Sequence, residues 1–311
     1  MLCRVAGLVT GILFLVSCAP PDYGGGISSF SQAVSQANTI EQTLAASEEK
    51  VAVANYIQHS AGRNAVVDLS KCRGSPGPYK AGDCVVEVQG ESPPTAVPSS
   101  MTGLTKYAAL LSAVVADKTC ASLQSDATSI ASSVSDMAKE AQQPALGNAA
   151  SPLATIVSTL GCLVVADEQL AILRKATKDA NPVIQKLVPL IAQNDQDMYL
   201  TVLEDNIRQL SDATVAYNKS QSASDLAKVV SLTQAVDSAQ ASQPGPLISK
   251  LATLHQTLAD DLATPTINLK IVESDAQAFI AEAKAVDSAV ETLTKSTSTT
   301  KTTTATPNSA S

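Results

Sequence analysis

The strongest constraint on the fold is the recurrence of apolar residues at spacings of three and four, through long stretches interrupted mainly by prolines and glycines. Such spacing puts them on one stripe of an α-helix, because 3.6 residues complete a turn. Ile27, Phe30, Val34, Ala37, Ile40, Leu44, Val51, Ala54 and Ile57 predict a first helix from Ile27 to about Ser60, roughly 50 Å long at 1.5 Å per residue. Leu104, Leu111, Val114, Leu123, Ile130, Val134 and Ala141 predict a second from Gly103 to about Gln143, ended by Pro144 and Gly147.

Ser151-Pro152 pairs a cap residue with proline at the first helical position and opens a third helix through Leu153, Ile156, Leu160, Leu163 and Leu170. Asn181-Pro182 repeats the form and predicts a fourth to about Tyr217, which Pro189 should kink by removing a backbone donor. Ser222-Ala-Ser-Asp225 has capping-box spacing, so either a new helix begins there or the fourth bends. Pro244-Gly245-Pro246 is a firm break; a short helix then runs to about Leu262, and a last one carries Val272, Ala276, Phe279, Ala283, Val286, Val290 and Leu293.

These helices must pack with small side chains, since 3% of residues are aromatic and none is Trp. The prediction is an all-α protein: an elongated up-and-down helical bundle of about six or seven helices over 27–295. One insertion, at about 61–100, departs from helical texture. Val66, Val67 and Leu69 precede Cys72, and Val85, Val86 and Val88 follow Cys84, with RGSPGPYKAGD between, which predicts a small β-hairpin. Residues 296–311 are rich in Thr and Ser, have little to bury and are expected to be disordered.

The N-terminus follows a different logic. Arg4 is its one charge before a run from Val5 to Val16 that is almost wholly apolar, shorter than the roughly 20 residues a membrane span needs. The run ends at Leu15-Val16-Ser17-Cys18, which resembles the lipobox of bacterial lipoprotein precursors. The resemblance covers the leader alone. It implies that residues 1–17 are a signal peptide, that Cys18 becomes the lipid-bearing N-terminus, and that 18–26 form a flexible tether. Ala19 in place of Asp implies, by the same resemblance, passage to the periplasmic face of the outer membrane.

Of six cysteines, Cys3 would leave with the leader and Cys18 would take the lipid, so Cys72, Cys84, Cys120 and Cys162 remain. In an oxidising compartment an even remainder reads as two disulfides, and of the three pairings Cys72 with Cys84 and Cys120 with Cys162 is the expectation. The first would staple the hairpin, which alone is marginal in water.

Chemistry is sparse. There are two histidines, His59 at the end of the first helix and His255 among Leu251, Leu254 and Leu258, and neither has metal-ligand spacing to another donor. Asp195-Asp197, Glu204-Asp205 and Asp260-Asp261 are read as solvated helix faces. No nucleophile elbow, phosphate loop or dinucleotide fingerprint occurs. The expectation is no enzyme, no catalytic residue, no cofactor and no metal. A net charge of −8 argues against nucleic acid as a partner. What remains is an anchored structural or interaction module, contacting the membrane through its lipid and other envelope proteins or its own copies through its surface. The alternative is a binder of a small apolar molecule or lipid between helices. Arg73, Tyr79 and Lys80, at the hairpin tip of an acidic chain, are the expected partner contacts.

Overall fold

The computed structural model describes residues 23–60, 66–68, 85–87, 101–116 and 169–298. The fold is all-α: α1 (Gly24–Ser60), α2 (Thr102–Val115), α3 (Gln169–Ser220), α4 (Ala223–Gln240), α5 (Pro244–Ala263) and α6 (Lys270–Ser298). A three-residue antiparallel ladder, β1 (Val66–Asp68) on β2 (Val85–Glu87), joins them with Val67 opposite Val86. Cys72, Cys84, Arg73, Tyr79 and Lys80 lie outside the described residues, as do Cys18, Cys120, Cys162 and the predicted helical segments within 117–168.

Helix α3 is the spine. Its 52 residues extend about 78 Å at 1.5 Å each. Helices α4 and α5 return along it end to end. The turn at Gln221, which takes a positive φ of 49°, starts α4 beside the end of α3. Gly245 then meets Ala192 and Gln196, Gln185 donates to the Ala252 carbonyl at 2.8 Å, and Arg174 Nε donates to the Leu262 carbonyl at 2.6 Å. Helix α1 instead runs parallel to α3, since His255 contacts both Phe30 and Asn181 while Arg208 reaches Asn55. Helix α6 is parallel to α1 as well, with Thr43 bonded to Asp287 and Ser47 to Thr294. Among the described helices, α3 is thus antiparallel to α4 and α5, which follow it in the chain, whereas α1, α3 and α6 run parallel to one another.

The core is one continuous cluster, and the stripes of the sequence are its walls: Ile27, Phe30, Val34, Ile40 and Leu44 on α1, and Val272, Ala276, Ala283, Val290 and Leu293 on α6, are buried. Two expected boundaries move and a third is kept. The fourth helix does not begin at Asn181-Pro182, because α3 already runs from Gln169 with both Pro182 and Pro189 inside it. Both prolines are exposed and seven residues apart on the outer face, where water can satisfy the carbonyls that lose a partner. Asn181 is thereby released from capping and turns inward. The glycines expected in the tether form the first turn of α1. A Cβ on Gly26 would lie 2.4 Å from Leu269 Cβ, so at that position glycine lets the helix start against its neighbour. At Ser222 the N-cap half of the capping box forms: its hydroxyl accepts from Asp225 N–H at 3.1 Å and starts α4 as a separate helix, while the Ser222 N–H goes to the Ser220 hydroxyl at 3.2 Å.

Candidate functional site

Two buried polar layers sit inside this core. The first is built on His255, from the apolar face of α5. Its ring lies between Phe30 of α1 and Tyr107 of α2, with centroids 5.6 Å from each. Nε2 is 2.9 Å from the Tyr107 hydroxyl and Nδ1 is 3.1 Å from Asn181 Oδ1. The Asn181 amide nitrogen donates to Gln256 at 2.5 Å and its oxygen accepts from Gln185 at 3.2 Å. That oxygen can only accept, so Nδ1 carries the proton and Nε2 accepts from the tyrosine hydroxyl. Burial pushes the imidazole down to about 3 and the Tyr107 phenol upward, so both are neutral at pH 7. With both side chains fully buried, the layer fixes the register of four helices rather than offering a proton to a substrate. Leucines flank His255 in sequence, but Asn181 and Tyr107 arrive from other helices.

The second layer lies about three turns further along α1. Glu41 and Asp195 are both fully buried, the latter against the expectation that Asp195-Asp197 is a solvated face; Asp197 is exposed as expected. Glu41 Oε2 accepts from the Met101 N–H at the start of α2, 2.9 Å away. Neither Asp195 oxygen has a hydrogen bond among the described residues. Burial first, and then the charge of Glu41, push this carboxyl up to about 9, against a weaker downward pull from the neighbouring Asn194 side chain. Tyr199, one turn on, is also buried, its hydroxyl without a hydrogen bond among the described residues, and burial raises it to about 12.

The remaining acidic pairs divide. Glu204 is exposed, while Asp205 is buried, paired with Arg208 and accepting from Gln209 at 2.7 Å. Asp261 is raised by partial burial and by the charge of Asp260. Sequence reasoning missed Glu41 altogether; its signal was a carboxylate one residue after buried Ile40, at a position where an outward face would require the stripe to break.

On the surface, two open grooves are rimmed by polar side chains. One, about 440 Å³, lies between α1 and α6 along Thr39, Thr43, Ser47, Lys50, Glu291 and Thr294. The other, about 260 Å³, lies between α5 and α6 beside Phe279, where Lys250 and Glu282 pair at 2.5 Å. Apolar side chains are exposed at Leu200, Ile207 and Val215 on α3 and at Leu226 and Val230 on α4. Among the described residues no group of three or more His, Cys, Asp or Glu could hold a metal ion, and no helix is long and apolar enough to cross a membrane. No known protein family, curated protein or solved structure matches this chain.

Proposed function

We propose that the chain is a lipid-anchored protein of the cell envelope, held at the periplasmic face of the outer membrane by Cys18, whose helical bundle serves as a structural or interaction module and not as an enzyme. The leader resemblance supports the anchor. The single observation that carries the interaction reading is the exposure of the apolar residues Leu200, Ile207 and Val215 on α3 and of Leu226 and Val230 on α4. Large apolar side chains recurring on one arc of a long helix lose free energy to water unless something covers them. The His255 layer is in keeping with the same reading, because its buried imidazole and phenol are bonded to one another and serve packing. Disulfides Cys72–Cys84 and Cys120–Cys162 would complete the module, the longer loop contributing about 4 kcal/mol and the shorter about 3 in the chain-entropy model.

The test places a photocrosslinking residue at Val215 and, separately, at exposed Lys284 of α6, in cells. Crosslinked partners or dimers from Val215 and not from position 284 support the module. Equal yields from both positions refute an interaction face on α3 and α4. A parallel capture after changing Arg73, Tyr79 and Lys80 to Ala tests whether the hairpin tip adds to that contact.

A further inference from the structure

Helix α2 begins without a cap of its own. Met101 makes no side-chain hydrogen bond to the first turn, and no acidic residue stands there. The Met101 N–H is instead received by Glu41 of α1 at 2.9 Å, with both residues fully buried. A carboxylate at this position meets the positive end of the α2 dipole and one of its orphan donors. Asp195 shares the layer from α3, equally buried and with no hydrogen bond of its own among the described residues. A fully buried carboxyl without a hydrogen bond, in the same layer as a second carboxylate, resists ionising.

We propose that Glu41 and Asp195 form a one-proton latch on α2: the helix stays docked while Asp195 holds a proton and Glu41 holds the charge, and it loosens when that proton leaves. The proton belongs on Asp195 because Glu41 has the N–H donor and the helix terminus to stabilise its charge, and Asp195 has neither. The helices packed around the layer bring Glu48 two turns along α1, Lys106 one turn into α2, Asp197 on α3 itself and Asp287 of α6, which accepts from Thr43 at 3.1 Å. Glu41 is the charged group that acts on Asp195. Helix α5 meets α3 beside this layer with uncharged Gly245, against Ala192 and Gln196.

The sign follows from proton counting. Asp195 moves from an ordinary 3.8 up to about 9 on folding, so between those values the folded chain keeps a proton that the unfolded chain releases. The contribution of Asp195 to stability is therefore full below about 4 and declines as pH rises towards 9. The latch adds a location to that loss, namely α2.

Hydrogen exchange of the full chain, expressed as protection relative to intrinsic rates at pH 7 and pH 10, reads the location. Protection in α2, from Leu104 to Leu111, should fall about tenfold more than in α6, from Ala276 to Ala283, one pH unit beyond the Asp195 transition. In Asp195→Asn the two helices should respond alike. In Glu41→Gln the α2 amides should be weakly protected already at pH 7 and change little. Equal loss in α2 and α6 of the unmodified chain, or the same selective loss in Asp195→Asn, overturns the latch. Should a variant fail to fold, carbon-13 NMR of the Asp195 carboxyl in the unmodified chain decides: titration near 9 supports the proposal, and titration below 6 overturns it.

Discussion

The His255 layer and the Glu41–Asp195 layer are built from the same materials: polar groups taken into a core of leucine, valine and alanine, from α2, α3 and α5 in the first and from α1, α2 and α3 in the second. They differ in closure. Each ring nitrogen of His255 has a partner, so the histidine gives up water and recovers hydrogen bonds. Asp195 gives up water and recovers none among the described residues. A closed polar layer holds helices in register at little net cost, whereas an open one stores a penalty that protonation only reduces.

The sharpest way to break this contrast is His255→Ala. It would leave a cavity and strand the Tyr107 hydroxyl, and should cost about 3 kcal/mol or more in urea unfolding. A loss below about 1 kcal/mol would mean that the closed layer contributes little beyond its volume. The opposite sign is expected at the other layer. Asp195→Leu exchanges a buried group without hydrogen bonds for an apolar one of similar size, and should stabilise by about 2 kcal/mol at pH 8 in the same assay. Destabilisation there would show that Asp195 has a partner. The smallest effect belongs to the surface. Lys250→Met breaks a half-exposed pair with Glu282 and should change unfolding free energy by less than about 0.5 kcal/mol, the ordinary scale for such pairs.

The apolar stripes were legible in the sequence because helical burial leaves a periodic record within one segment. Ile27 through Leu44 and Val272 through Leu293 are buried as their spacing requires. The polar layers were not legible, since their meaning depends on which helices meet. Asn181 before Pro182 has the form of a cap until His255 is seen beside it, and Asp195 near Asp197 has the form of a wet face until Glu41 is placed opposite. Gly24 to Gly26 misled for a related reason: a run of glycine is poor in a lone helix, yet Gly26 is needed where α1 meets Leu269. The lipobox and the four later cysteines, which carry the functional proposal, lie outside the described residues.

The contrast between the layers meets its most direct test in unfolding free energy measured from pH 3 to pH 10, for the unmodified chain and for Asp195→Asn. His255 is depressed from 6.5 to about 3, so its contribution is complete above 6.5 and is lost as pH falls towards 3. Asp195 acts oppositely between about 4 and about 9. The two slopes offset each other from about 4 to 6.5, and above 6.5 the Asp195 slope stands alone, at about 1.4 kcal/mol per pH unit for one proton. The account predicts that stability falls between pH 7 and pH 9 and that Asp195→Asn removes this fall. A profile that is level or rising over that interval, or a fall that survives in Asp195→Asn, contradicts it.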